Sequence, residues 1–324
     1  MNELVIGLPS KGRLQENANA FFARAGLKVR QAGGGREYQG RLQGIDNVRI
    51  AFLSASEIAG ELERGRIHFG VTGEDLIRER IVDPDSKVHL LVPLGFGYAD
   101  VVVAVPQSWI DVASMADLED VAIAFHAKHG RRLRVATKYL QLTRSFFLEH
   151  GIGDYRIVES AGATEGAPAA GTAEAIVDIT TTGSTLAANN LKILDDGVIL
   201  KSEAHLVASL KADWGDGPRR AARQLLDRVA AEAEAAAVTE LRFEIEEGDT
   251  NLLNELEITI GCLFPFGRDL GATSVLCAKA DLYKVVAKLH AHDKETVIAR
   301  QANYVFHAVN PLTGRLSRKL GVRI

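Results

Sequence analysis

The chain has 324 residues, of which 47% are hydrophobic and 25% charged, an ordinary balance for a globular protein. At roughly 150 residues per domain, that length predicts two domains or three small ones. A net charge of −4 argues against a general nucleic-acid or membrane-surface binder, which needs a basic face.

The opening stretch, MNELVIGLPSKGRL, is too short an apolar run for a signal peptide, and no run of about 18 uncharged apolar residues predicts a membrane helix. A cytoplasmic location is the expectation. Cys262 and Cys277 form no CxxC pair and no zinc set, so buried free thiols are expected.

Apolar, β-rich runs predict strands over 4–8, 48–53, 67–71, 88–94, 100–106, 133–136, 155–158, 174–179 and 198–209. Helical patterns lie between several of them, over 14–26, 56–65, 137–151 and 184–190. In the third, Leu140, Phe146 and Phe147 share a face and Gly151 is a stop signal. Strands alternating with helices imply parallel sheets covered by helices.

The runs 88–94 and 100–106 follow one another without a helix, as expected where a chain crosses between two lobes. The run 198–209 is expected to return it. Residues 1–97 and 192–215 then form lobe I, and 98–191 form lobe II. Clefts between such lobes, at the carboxyl ends of strands, are where ligands bind.

Residues 211–219 (KADWGDGPR) read as a boundary, followed by an Ala-rich helix over 219–237 with Leu225, Leu226 and Val229 in one stripe. Beyond it come a strand (239–247), a helix (251–261), a short strand near 262–266, a strand (272–279), a helix (280–293) and a strand (296–307). That order is the β-α-β-β-α-β plan of a ferredoxin-like α+β domain, within 216–324. The tail NPLTGRLSRKLGVRI carries basic residues and no acidic one, and reads as a mobile end or a docking strand.

The densest chemical signal is DITTTGSTL, residues 178–186. A strand ends at Asp178, a hydroxyl-rich loop containing Gly183 follows, and a helix begins. This geometry binds phosphate, because backbone N–H groups converge there and the hydroxyls of Thr181, Thr182, Ser184 and Thr185 add donors. The same loop is also a capped turn, with Ser184 as the N-cap. No GxxxxGK[ST] loop is present.

Asp178 and Glu165 would repel a phosphate unless they serve another part of the ligand, such as ribose hydroxyls or a Mg²⁺ on pyrophosphate. The bland alternative is an Asp that caps its own turn. In LPSKGRL (8–14), Lys11 and Arg13 flank Gly12 at a strand end, suited to an anion. RVATKY (134–139) places Thr137 and Lys138 at another such junction, and GVTGEDLI (70–77) places Thr72, Gly73, Glu74 and Asp75 at a fourth. The pairs HAKH (126–129) and HAH (290–292) lack a third ligand and read as solvated side chains. No Ser-His-Asp or Cys-His arrangement stands out.

The chain resembles the ATP phosphoribosyltransferases, which open histidine biosynthesis. The resemblance rests on PSKGRL (9–14), GVTGEDLI (70–77), VATKY (135–139) and above all GATEGAPAAGTAEAIVDITTTGSTLAANNL (162–191), and covers about 4–210. It implies a two-lobed, type II periplasmic-binding-protein-like core, a pentosyltransferase, and Mg²⁺-dependent condensation of ATP with 5-phosphoribosyl-1-pyrophosphate. Carried over by position, Asp178, Thr180, Thr181, Thr182, Gly183, Ser184 and Thr185 hold the sugar donor, with Glu165 near the ribose. Lys11, Gly12, Arg13, Thr72, Gly73 and Lys138 fall on the ATP side. Lys11, Arg13, Glu165 and Asp178 form the implied catalytic set.

Some positions depart from the family pattern. The R-x-x-D-I-P-like stretch reads SASEIAG (54–60), with Ser54 and Glu57 in place of Arg and Asp. His68 stands where an Asp is usual, and Ala99–Asp100 where Cys–Arg is usual. Longer family members carry a ferredoxin-like domain that binds histidine, so feedback inhibition and a homo-oligomer, dimer or hexamer, are implied. A catalytically altered regulatory subunit, a transferase for another base, and a solute-binding protein of the same fold are the competing readings.

Overall fold

The computed structural model describes residues 3–31, 39–160 and 162–324. In chain order, the first part runs β1 (Leu4–Pro9), α1 (Gly12–Arg24), β2 (Lys28–Gln31), β3 (Gln39–Gln43), β4 (Val48–Leu53), α2 (Ala55–Glu63), β5 (Phe69–Gly73), α3 (Glu74–Arg80) and β6 (Val88–Pro93). The second runs β7 (Asp100–Pro106), α4 (Met115–His129), β8 (Leu133–Thr137), α5 (Leu140–Glu149), β9 (Tyr155–Glu159), β10 (Ala175–Thr180), α6 (Ser184–Ala188) and β11 (Leu191–Leu200). Then come β12 (Ala204–Ser209), the long α7 (Asp216–Ala237), β13 (Val238–Ile245), α8 (Thr250–Asn254), β14 (Gly271–Ala278), α9 (Leu282–Ala291), β15 (Ile298–Arg300) and α10 (Pro311–Leu320).

Two sheets repeat one plan. The first has the order β2-β3-β4-β1-β5-β12-β6, the second β11-β7-β10-β8-β9. In each, the parallel strands are flanked by an antiparallel strand that follows a crossing, β12 beside β5 in lobe I and β7 beside β10 in lobe II, while β3 adds a further antiparallel pairing at the edge of the first sheet. This exchange is the two-lobed, type II periplasmic-binding-protein-like topology. The crossing segments bind each other: Ala99 N–H donates to Ser202 O, and Ala204 N–H to Phe96 O, both at 2.9 Å.

Strands buried on both faces carry near-continuous apolar runs, as helix-covered sheets require. Residues Leu4 to Leu8 of β1 and Val101 to Val105 of β7 are buried accordingly. Helices α1, α7 and α10 close one side of lobe I through Phe22, Leu225, Leu226 and Leu316.

The third sheet, β14-β13-β15, is antiparallel, and Leu263 bridges Leu276 on the free side of β14. Counting that bridge as a vestigial strand, the order matches the ferredoxin-like plan expected for the C-terminal part. Cys262 and Cys277 are free and buried in its core, where burial raises both thiols, Cys262 to about 11.

Several expectations are corrected. The run 198–209 is two strands in two different sheets, so β11 stays in lobe II and the chain returns at 201–203, not at 192. The expected strand over 296–307 forms only at Ile298–Arg300. The basic tail is not a strand. It is a helix with Asn310 as N-cap and Pro311 at its first position, and it packs Leu312 and Leu316 into lobe I. Helices α3 and α4 and strands β2 and β3 were not expected. The Ser114–Asp117 capping box at the start of α4 was the available cue.

Candidate active site

Strand β10 delivers the hydroxyl-rich loop beside the crossing. Thr180, its last residue, pairs with Asp100 at the start of β7. The loop is held internally. Thr180 Oγ1 accepts Gly183 N–H at 2.8 Å, the Thr182 and Ser184 hydroxyls lie 2.9 Å apart, and Thr181 Oγ1 donates to Tyr98 O at 3.0 Å. Gly183 has φ +74°, a conformation that favours glycine, and it precedes α6. Around this loop is a concavity of about 250 Å³ lined by Tyr98, Ala99, Thr180, Thr182, Ser184 and Thr185. Its donors are polar, exposed and uncharged. Since α6 has only five residues, loop amides and hydroxyls, not a macrodipole, make the cradle.

Asp178 sits one turn of the pleat before it. Burial pushes its carboxyl up, and the nearby Glu165 carboxylate adds to that. The Ile179 N–H, Lys138 and the Thr164 hydroxyl oppose the shift. Glu165 lies on the short 3₁₀ turn Thr164–Gly166, entered through Ala163 at φ +50°, an uncommon conformation for a residue with a Cβ. The structure therefore brings Asp178, Lys138 and Glu165 within electrostatic reach of one another.

Lys11, Gly12 and Arg13 open α1 from the carboxyl end of β1. All three are exposed, Gly12 has φ +74°, and neither cation has a hydrogen bond or ion pair among the described residues. Leu14, in the same turn, faces Gly97 of the crossing, where a Cβ would lie 3.2 Å from its Cδ1. The loop 178–185 touches that crossing one residue on, at Tyr98. The cationic turn of lobe I and the cradle of lobe II thus flank one segment.

Thr72 and Gly73 do not join them as expected. Thr72 is fully buried, with its hydroxyl donated to Ala55 O at 2.9 Å. Gly73 leads into α3, and a Cβ there would stand 2.2 Å from Asp75 Oδ1. Both shape the lobe interior instead of offering side-chain groups to a ligand.

The departures have structural accounts. Ser54 and Glu57 form a reciprocal capping box on α2. His68 is buried, accepting Val5 N–H through Nδ1 at 3.1 Å and facing Asp213 O through Nε2 at 3.0 Å. That pattern is the neutral ring with the proton on Nε2.

Residues missed from sequence are Tyr139, Ser202 and Glu79, and Asp75, expected at a ligand-facing strand end, is instead buried in a bond between the lobes. Tyr139 donates to Asp75 Oδ2 at 2.8 Å across the lobes. The motifs GVTGED and VATKY contained two of them, but nothing in the order of residues signals that they meet.

Residues 54–231 match the family profile of ATP phosphoribosyltransferase. The chain belongs to the ATP phosphoribosyltransferase family. It is 58% identical over 315 residues to the ATP phosphoribosyltransferase of Bradyrhizobium sp. (strain ORS 278), covering 97% of each chain. It is 59% identical to that of Nitrobacter hamburgensis, again over 97% of both. Among solved structures it resembles the ATP phosphoribosyl transferase (HisG:HisZ) complex from Thermotoga maritima, with TM-score 0.54 and 22% identity over 70% of this chain and 95% of that one. That likeness supports the fold. Membership of the ATP phosphoribosyltransferase family makes the chain a pentosyltransferase of the first step of histidine biosynthesis. No helix among the described residues is long and apolar enough to cross a membrane.

Proposed function

We propose that the loop 178–185 of lobe II holds the 5′-phosphate and ribose of 5-phosphoribosyl-1-pyrophosphate, and that the 11–13 turn of lobe I meets ATP and the departing pyrophosphate. The observation that carries this reading is the shared crossing. The hydroxyl-rich loop bonds Tyr98 O through Thr181, and Leu14, in the turn that carries Lys11 and Arg13, stands against Gly97 from the other lobe.

The reaction needs no protein nucleophile. Adenine N1 has a lone pair and is largely unprotonated at neutral pH. It attacks C1 of the ribose as the C1–O bond to pyrophosphate breaks, so the electron pair leaves with pyrophosphate and positive charge builds on the sugar. Positioning of two substrates can contribute up to about 7–11 kcal/mol. Asp178 and Glu165, coupled electrostatically beside the loop, supply carboxylates that would stabilise that positive charge. Lys11 and Arg13 offset the charge of the leaving group.

Among the described residues no cluster of three or more His, Cys, Asp and Glu side chains gathers. A Mg²⁺ ion would enter this chain as an ion borne by the substrate's pyrophosphate, and Asp178 and Glu165 are carboxylates that could help hold it. When bound, it neutralises leaving-group charge.

Lobe I comprises 1–97 with the return near 201–215, lobe II the residues between, and 216–324 a linker helix with a regulatory domain. In that domain a cavity of about 490 Å³ is lined by Arg242, Glu244, Glu246 and Lys294. It carries both charge signs, as an amino-acid effector such as histidine requires. The assembly is a homo-oligomer and the location cytoplasmic.

The test is incubation with ATP, 5-phosphoribosyl-1-pyrophosphate and Mg²⁺, following pyrophosphate and product mass, for wild type and Thr182→Val. A loss of about ten-fold in donor binding or turnover is expected for the variant. Wild-type kinetics in Thr182→Val and Asp178→Asn together would move the site elsewhere. The histidine assignment fails if histidine neither inhibits nor raises the melting temperature.

A further inference from the structure

Asp75 stands in the first turn of α3, in lobe I, and is 5% exposed. Its two carboxylate oxygens serve two other parts of the molecule. Oδ1 accepts the Ser202 hydroxyl at 3.1 Å, and Oδ2 accepts the Tyr139 hydroxyl at 2.8 Å. The Ser202 oxygen in turn accepts Asp75 N–H at 3.0 Å. Ser202 lies on the returning crossing and is 2% exposed; Tyr139 precedes α5 of lobe II and is 1% exposed. One carboxylate therefore joins lobe I, lobe II and the crossing.

The tyrosine is itself fixed within lobe II. Its N–H donates to Thr137 Oγ1 at 2.9 Å, and its carbonyl accepts the Thr143 hydroxyl at 2.6 Å. A second tie runs beside the first. Glu79, four residues after Asp75 and so on the same face of α3, accepts Gln141 N–H at 3.0 Å and Leu142 N–H at 3.1 Å. Those amides belong to the first turn of α5, where no intrahelical partner exists.

Buried carboxylates are a poor route to stability, since well-packed apolar side chains often do as well. What hydrogen bonds add is direction. Apolar contacts let two surfaces slide, whereas a carboxylate gripped from two sides fixes an angle. We infer that Tyr139 and Asp75, with Ser202, are positioning residues that set the interlobe angle at which the two substrates meet. This rests on the reading that the donor is held by lobe II and ATP approaches from lobe I. The reacting atoms then sit on different lobes, and a misplacement of about 1 Å can lower the rate on the order of a hundred-fold.

The experiment uses the full-length enzyme and compares Tyr139→Phe, Asp75→Ala and Asp75→Asn. Tyr139→Phe keeps the ring and removes only the donor. Its kcat should fall roughly ten- to a hundred-fold, with the Kd for 5-phosphoribosyl-1-pyrophosphate, by calorimetry, within about two-fold of wild type, because that cradle lies on one lobe. Asp75→Ala should behave alike. Asp75→Asn keeps an oxygen to accept from Tyr139, and its amide N–H can donate to the Ser202 oxygen in place of the bond that Ser202 now donates, so it should retain kcat within about three-fold of wild type.

A wild-type kcat in Tyr139→Phe overturns the inference. So does an Asp75→Asn variant as impaired as Asp75→Ala. If circular dichroism shows Tyr139→Phe unfolded, Ser202→Ala supplies the same kcat-against-Kd comparison. Donor binding by Asp178→Asn, measured alongside, tests the site reading separately: undiminished binding there sinks the cradle assignment and leaves the kcat result to judge the tie.

Discussion

The hydroxyl of Thr180 accepts the backbone N–H of Gly183 at 2.8 Å, so the last residue of β10 shapes the turn that follows it. This bond and the φ of +74° at Gly183 are one design, since the turn closes only if the fourth residue bends left-handed. A Cβ at Gly183 would meet nothing nearer than Ile193 Cδ1 at 3.9 Å, so the constraint is conformational and not steric. Gly183→Ala should therefore fold with a penalty of roughly 1–2 kcal/mol in the loop. It should lower kcat/KM for the sugar donor by about ten-fold, measured by initial rates at saturating ATP.

Asp178 gives the pH dependence. Its carboxyl titrates above the ordinary range, mainly through burial and secondarily through Glu165. If Asp178 serves the sugar donor as proposed, the ionised form is the useful one, and kcat/KM should fall as pH drops through that raised pKa. Asp178→Asn should lose about ten-fold or more in activity and lose this acid limb as well. For stability the sign is opposite. A carboxyl whose folded pKa exceeds its unfolded one weakens the fold once ionised, so Asp178→Asn should melt higher than wild type at pH 7.

His68 predicts a second acid sensitivity, unrelated to catalysis. Burial lowers its pKa, while the Asp213 carbonyl opposes the shift. The folded protein holds it neutral, so its contribution is fully present above about 6.5, the unfolded value. It is lost as pH falls from there toward the depressed folded pKa. His68→Gln should flatten the fall in melting temperature between about pH 7 and 5. An unchanged slope by scanning calorimetry refutes this.

Glu174 is the acid-resistant counterpart. Burial alone would raise its carboxyl, but bonds from the Arg134 and Arg131 side chains and the Arg134 N–H outweigh it and hold the pKa near about 2. Its contribution is present above the unfolded value near 4.5 and is lost as pH falls toward about 2. Glu174→Gln should destabilise by roughly 1–3 kcal/mol in denaturant unfolding, while kcat per folded molecule stays unchanged, since the residue lies at the opposite end of β10 from the cradle.

The sequence by itself indicated most strands of the first two sheets and the Gly-containing, hydroxyl-rich loop that follows β10. Buried parallel strands demand apolar runs, and a Gly among Thr and Ser at a strand end limits the backbone to a few turns. The resemblance then extended those local signals to substrates and reaction. Where elements were misread, local cues were weak or shared. In the run 198–209 a single β-rich stretch served two sheets, and the basic tail showed its helix only through Asn310, Pro311 and Leu316 packing on lobe I. Tertiary structure alone decided which polar residues are available. Thr72 carried the right chemistry but spends its hydroxyl on Ala55 O inside the lobe. Asp75, Tyr139 and Ser202 meet across 64 and 127 positions of chain. Such separations leave no periodic trace, because the bond depends on how two lobes close and not on how either strand or helix is written.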